Sequence, residues 1–128
     1  SEHYEYLANS VTTEYLMILQ TTAPLITNKT INNCLAKFSE NINDYDSLIT
    51  VQHVKKHTWY DGKPLNYDLK NAVNSQDLKN ITFPTFGVII CKTKSLKKCK
   101  NVITNNCESI EIDTNLEFEI SELLYKKN

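Results

Sequence analysis

The chain has 128 residues, 41% hydrophobic and 23% charged, which is enough to bury one core and too little for a second independent domain. Its formal net charge is -1 and its pI is near 6.3, so it has no basic excess for nucleic acid or an acidic membrane, and an anionic ligand must be met by local groups. No window reaches the apolar length of a membrane span and no charged-then-apolar leader opens the chain, so the expectation is a cytoplasmic protein with one domain, residues 1-128.

The first element is the apolar run Tyr15-Leu16-Met17-Ile18. Its lack of alternation fits a strand covered on both faces, as in parallel sheets. The polar loop LQTTAPL, Leu19 to Leu25, follows and is stiffened by Pro24. Thr27 or Asn28 can then cap a helix, in which Ile31, Cys34, Leu35 and Phe38 recur on one face. Asp46-Ser47-Leu48-Ile49-Thr50-Val51 reads as the next strand, which completes a βαβ unit with a right-handed crossover. Open α/β sheets bind ligands beyond the carboxyl ends of their strands, which makes Gln20, Thr21 and Thr22 site candidates. Spacing alone fits an ordinary βα connection equally well.

Further along, the turn Asp61-Gly62-Lys63-Pro64 separates Thr58-Trp59-Tyr60 from Leu65-Asn66-Tyr67, a pattern for a small antiparallel excursion from the main sheet. The stretch Asp68 to Phe83 is polar and weakly periodic, and needs its own packing role or a partner. Phe86 to Cys91 reads as a buried strand, followed by a short helix near Ser95 to Cys99. Lys92, Lys94, Lys97, Lys98 and Lys100 fit a solvated face of that helix better than a nucleic-acid patch. Ser109 to Asp113 reads as a short strand. Thr114 and Glu117 then form a capping box for a last helix, whose apolar face is Leu116, Ile120, Leu123 and Leu124, with Lys126 and Lys127 at its C-terminal end.

Three residue classes carry candidate chemistry. In a strand, Glu111 and Asp113 point the same way, and such paired carboxylates suit Mg²⁺ holding substrate phosphates; helix capping is the other role open to Asp113. Cys34, Cys91, Cys99 and Cys107 form no CxxC pair, so free buried thiols are expected for Cys34 and Cys91 rather than disulfides or zinc ligands. His53 and His57 have a spacing that binds zinc on a helix, whereas their segment reads as strand.

The order of these pieces resembles the acylneuraminate cytidylyltransferase family, which activates nonulosonic acids such as sialic acid as CMP-sugars. LQTTAPL is similar to that family's LQPTSPL. The His-containing end Val51 to His57 resembles its His-Pro stretch, Ser75-Gln76-Asp77-Leu78 its RQDLP, Phe86-Gly87 with the following strand its NGAIY, and SIEIDT its SIDIDT before a final helix. The likeness runs from Glu14 onward.

This resemblance implies an α/β, Rossmann-like nucleotide-diphospho-sugar transferase fold, here incomplete, and a homodimer in which residues 55-84 form the dimerisation excursion. It implies attack of a sugar hydroxyl on the α-phosphorus of CTP with release of pyrophosphate. Gln20 would hydrogen-bond the sugar, with Thr21, Thr22 and Gln76 beside it in the substrate site. Asp113 and Glu111 would hold Mg²⁺, with Glu111 standing where the family has its first Asp.

The chain departs from that pattern at Ser75, where the family has Arg, at Phe86, where it has Asn, and at Thr58, where Pro follows the His; Lys63 is expected to be the nearest available cation in the excursion. The family's Gly-, Ser- and Lys-rich phosphate loop and its STD-type strand have no counterpart. The chain therefore matches the C-terminal half of such an enzyme and is expected to be inactive without the nucleotide-binding half. The other reading is a non-catalytic, self-associating binding or scaffold module derived from the family.

Overall fold

The computed structural model describes residues 6–7, 9–71, 73–94, 99–103 and 112–127, with 99–103 described as backbone alone. Strands β1 (Tyr15–Leu19), β5 (Ile81–Lys92), β2 (Ser47–Val54) and β6 (Cys99–Ile103) form a mixed sheet in that order. A separate hairpin, β3 (Trp59–Tyr60) with β4 (Lys63–Pro64), stands between β2 and β5 in the chain. Helix α1 (Asn28–Glu40) joins β1 to β2, and helix α2 (Asn115–Tyr125) is the last element. The protein is thus mixed α/β.

Helix α1 begins where the sequence places it. The Thr27 hydroxyl accepts the Thr30 N–H at 3.3 Å, satisfying one of the first-turn donors left without an intrahelical partner. Its inward face buries Cys34 and Phe38, which pack with Leu48 of β2 and with Val88 and Ile90 of β5; Ile26, Ile31 and Ile42 close the edges. Leu35, expected on that face, is exposed because it falls at its rim. Each large aliphatic side chain buried there contributes about 1.5–3 kcal/mol of hydrophobic stabilisation. Cys34 and Cys91 are buried and in no disulfide, as expected, and burial pushes the Cys91 thiol up.

β1 and β2 both pair antiparallel with β5, so they run in the same direction with β5 between them. The expected βαβ unit is therefore split rather than directly paired. β1 is the outer strand, and its apolar run alternates after all: Leu16 and Ile18 are half-buried, whereas Tyr15, Met17 and Leu19 are exposed. Tyr15 sits edge-on to Phe38 with ring centroids 5.8 Å apart. At the end of β5, Lys92 pairs with Asp46 at 2.9 Å, so this lysine belongs to a strand-end ion pair and not to a helix face. Residues 95–98 of the expected short helix lie outside the described residues, and Cys99 opens β6.

The excursion is present and self-contained. Asp61 and Gly62 have φ of 48° and 72°, the pair of positive values that a two-residue type I′ turn requires. The turn takes two residues where the sequence pattern predicts four, so Trp59 pairs with Pro64 and Tyr60 with Lys63. Buried Asn66 clamps the base: its Oδ1 accepts from the Thr58 N–H, and its Nδ2 donates to the carbonyls of Lys56 at 2.9 Å and Lys79 at 3.0 Å. One amide thereby holds both legs of the segment.

β5 does not run straight. Ile49 faces Ile89 and Val51 faces Pro84, so Thr85 to Val88, four residues, stand against Thr50 alone. Thr50 is fully buried, and its hydroxyl accepts from the Thr85 hydroxyl at 2.9 Å and the Val88 N–H at 3.1 Å. It supplies the acceptor that the interrupted ladder lacks. Thr50→Val should leave both donors buried and unpaired and cost about 1–3 kcal/mol, whereas Thr50→Ser should retain most of the stability. Urea unfolding checks this, and equal midpoints for the two variants would contradict it.

Candidate functional site

β1 ends at Leu19, opposite Val88, and the next residue is tied across the sheet by the Gln20 N–H donating to the Gly87 carbonyl at 3.2 Å. The chain then turns tightly: the Ala23 N–H donates to the Gln20 carbonyl, and the Ile26 N–H to the Ala23 carbonyl. Ala23 and Leu25 are buried and anchor the loop, leaving Thr21, Thr22 and Pro24 exposed with Gln20 half-buried. Apolar residues thus pin the loop from below while its polar residues face outward.

Gly87 lets β5 approach this loop. A Cβ there would stand 2.9 Å from Ile26 Cδ1 and 3.3 Å from Ala23 Cβ, distances that force the loop to yield. Just before it, Phe86 holds φ at 52°, a left-handed backbone that costs a non-glycine residue about 1–2 kcal/mol. Its side chain is nonetheless exposed. This strained aromatic sits between the Thr50 lock and the Gln20 tether.

The third segment comes from the far end of the chain. The Ile112 N–H donates to the Thr22 carbonyl at 2.8 Å, which seats the start of the last element directly on the LQTTAPL loop. Asp113 follows, exposed. The expected capping box is formed: the Glu117 N–H donates to Thr114 Oγ1, while Glu117 Oε2 accepts from Thr114 Oγ1 at 2.8 Å and from the Asp113 N–H at 3.1 Å. Thr114, not Asp113, is the cap residue, so the capping role open to Asp113 falls to its neighbour. The Thr114 hydroxyl and then the Asp113 N–H hold the Glu117 carboxyl below its ordinary range.

The tether therefore places Asp113 one residue from a backbone contact to Thr22, in the loop that also carries Gln20 and Thr21. Gln76 belongs elsewhere. It lies in the single 3-10 turn Ser75–Asp77 of the excursion, where its carbonyl accepts from Lys55 Nζ, so the cation at the Ser75 segment is Lys55. His57 Nε2 lies 3.2 Å from the Val73 carbonyl, its ring edge-on to Tyr67, while His53 bonds the Thr82 hydroxyl. The two imidazoles are structural and have separate partners.

Glu111 lies outside the described residues, as do 109 and 110 of the expected strand; Ile112 to Thr114 form no regular element. Among the described residues no group of three or more His, Cys, Asp or Glu side chains gathers to hold a metal. Mg²⁺ binds through one or two carboxylates together with substrate phosphates, so a single exposed carboxylate such as Asp113 is compatible with it.

The expected face of α2 is corrected. Ser121 is its buried residue, flanked by half-buried Glu117 and Leu124, while Leu116 is 64% exposed and Leu123 61%, with Ile120 also exposed. No family model matches the chain, and no curated protein matches it.

Two measurements follow from this geometry. Glu117 has a depressed folded pKa, so its contribution to stability is present above the unfolded value near 4.5 and is lost as pH falls through the lower folded value. Wild-type helicity and stability should therefore fall faster between about pH 5 and 3 than those of Glu117→Gln, followed by circular dichroism; parallel curves would remove the capping account. Gly87→Ala should cost about 1–3 kcal/mol through overpacking, partly restored by Ile26→Ala, in a double-mutant cycle with thermal unfolding as readout. Strictly additive effects would count against the close approach.

Proposed function

We propose that the chain is the sugar- and metal-binding half of a cytidylyltransferase, a cytoplasmic enzyme that transfers CMP from CTP to a nonulosonic acid. The observation that carries this reading is the Ile112 to Thr22 hydrogen bond at 2.8 Å, which joins the two stretches most similar to the family's motifs, LQTTAPL and the end of SIEIDT. Distant segments also meet for packing alone, as β1 and β5 do; this contact supports the reading because both of its stretches are ones that resemble the family's motifs. The mixed α/β sheet, with β1 and β2 codirectional, supports assignment to a Rossmann-like fold that further strands at the exposed β1 edge would complete.

In this reading the sugar acid lies against the loop, where the Gln20 side chain hydrogen-bonds it. The acceptor hydroxyl attacks the α-phosphorus of CTP, and the bond to the bridging oxygen breaks to release pyrophosphate. Mg²⁺, when bound by Asp113 and Glu111, supplies neutralisation of the charge that develops on the phosphates. The rest is positioning: Ala23 and Leu25 fix the loop, the Gly87 carbonyl fixes Gln20, and Thr22 fixes the approach to Asp113. The excursion, residues 55–84, serves as the homodimer contact, and its exposed Trp59, Tyr60, Leu65 and Leu69 support that role.

A scaffold module is the second reading. It is favoured by the apolar residues left open on both the excursion and α2. The two separate in an assay of pyrophosphate release from CTP and Mg²⁺ with a panel of nonulosonic acids, using the chain alone and joined to whatever sequence precedes it in its gene. The enzyme reading expects sugar-dependent release in the joined protein, lowered by at least about 100-fold in Asp113→Asn, the scale of losing one group that stabilises transition-state charge. Release in neither form of the folded protein favours the scaffold.

A further inference from the structure

We infer that Phe86 selects the acceptor, its ring serving as the contact for an apolar position, a methyl or deoxygenated carbon, on the sugar acid; this rests on the cytidylyltransferase reading. Phe86 has φ of 52°, a conformation L side chains rarely adopt, and its side chain is 42% exposed. A large apolar side chain placed in a strained backbone and left open to water gains little from the fold itself. Strain of this kind persists only where the surroundings enforce it, and it collects at ligand sites.

The enforcement is visible on both sides. Thr85 is locked inward by the Thr50 hydroxyl, and Gly87 is pressed against Ala23 and Ile26 while its carbonyl holds the Gln20 N–H. Phe86 is the residue between these two fixed points, one position before the Gly87 that packs against the loop carrying Gln20, Thr21 and Thr22. An Asn at this position suits a left-handed backbone and offers an amide to a hydroxyl. Phe offers neither a donor nor an acceptor. An acceptor hydroxyl placed against it would lose its water without gaining a partner, whereas a methyl or methylene would be buried favourably.

The test uses the full natural protein and two probe pairs that differ by one hydroxyl: N-acetylneuraminic acid against its 9-deoxy analogue, and N-glycolylneuraminic acid against N-acetylneuraminic acid. Binding is read by ligand-observed saturation-transfer NMR, which needs no turnover, and folding by circular dichroism. The wild type should favour the less hydroxylated member of at least one pair by roughly tenfold. Phe86→Asn and Phe86→Gly, both compatible with the positive φ, should abolish that preference, and Phe86→Tyr should keep most of it. A preference that survives in the folded Asn and Gly variants, or a wild type that binds both members of each pair equally, overturns the assignment to Phe86 alone. A folded wild type that binds none of these sugar acids overturns the cytidylyltransferase reading, and the assignment with it.

Discussion

The structure depends on one buried hydroxyl. Thr50 stands in the middle of the interior strand β2 between Ile49 and Val51, and it accepts from Thr85 Oγ1 and the Val88 N–H. Without it, the four residues of β5 that lack ladder partners would leave an amide donor stranded in the core. With it, β5 can shift register between its two pairings with β2. The shift sets Gly87 under the loop after β1 and forces Phe86 into its left-handed backbone. A polar bond in the core thus determines the shape of the surface above it.

The excursion is built on the same principle of one side chain satisfying several groups. Asn66 uses both ends of its amide to hold the legs at Thr58, Lys56 and Lys79, so the hairpin needs no cover from the main sheet. Its aromatic residues consequently remain available: Trp59 and Tyr67 lie edge to face at 6.3 Å, and Trp59 and Tyr60 stay exposed. Self-support at the base and open apolar surface at the tip is the arrangement expected of a contact element.

What was legible in the sequence was local. Thr27 caps α1, Thr114 and Glu117 cap α2, and Asp61-Gly62 makes the hairpin turn, because each depends on a few neighbouring groups. The register shift had faint signals in Thr50 within an apolar run and in Pro84 and Gly87 within a strand pattern, residues that often mark bulges. The insertion of β5 between β1 and β2 had none, since strand order is set by long-range packing. Hydrophobic periodicity also misread the inward face of α2, where Ser121 is buried and Leu116, Ile120 and Leu123 are exposed. Of the candidate site residues, Thr22 is tied through its carbonyl to Ile112, the residue before Asp113, while Gln76 sits in the excursion with Lys55.

The account stands or falls on whether the β1 loop, the β5 bulge and the start of α2 act as one binding surface. The most direct measurement is amide chemical-shift mapping by two-dimensional NMR, titrating the labelled protein with a nonulosonic acid in the presence of Mg²⁺. The account predicts that Gln20, Thr22, Phe86, Gly87 and Asp113 shift together, with one common saturation curve. Shifts confined to the excursion, or a β1 loop that responds while Gly87 and Asp113 do not, would contradict it.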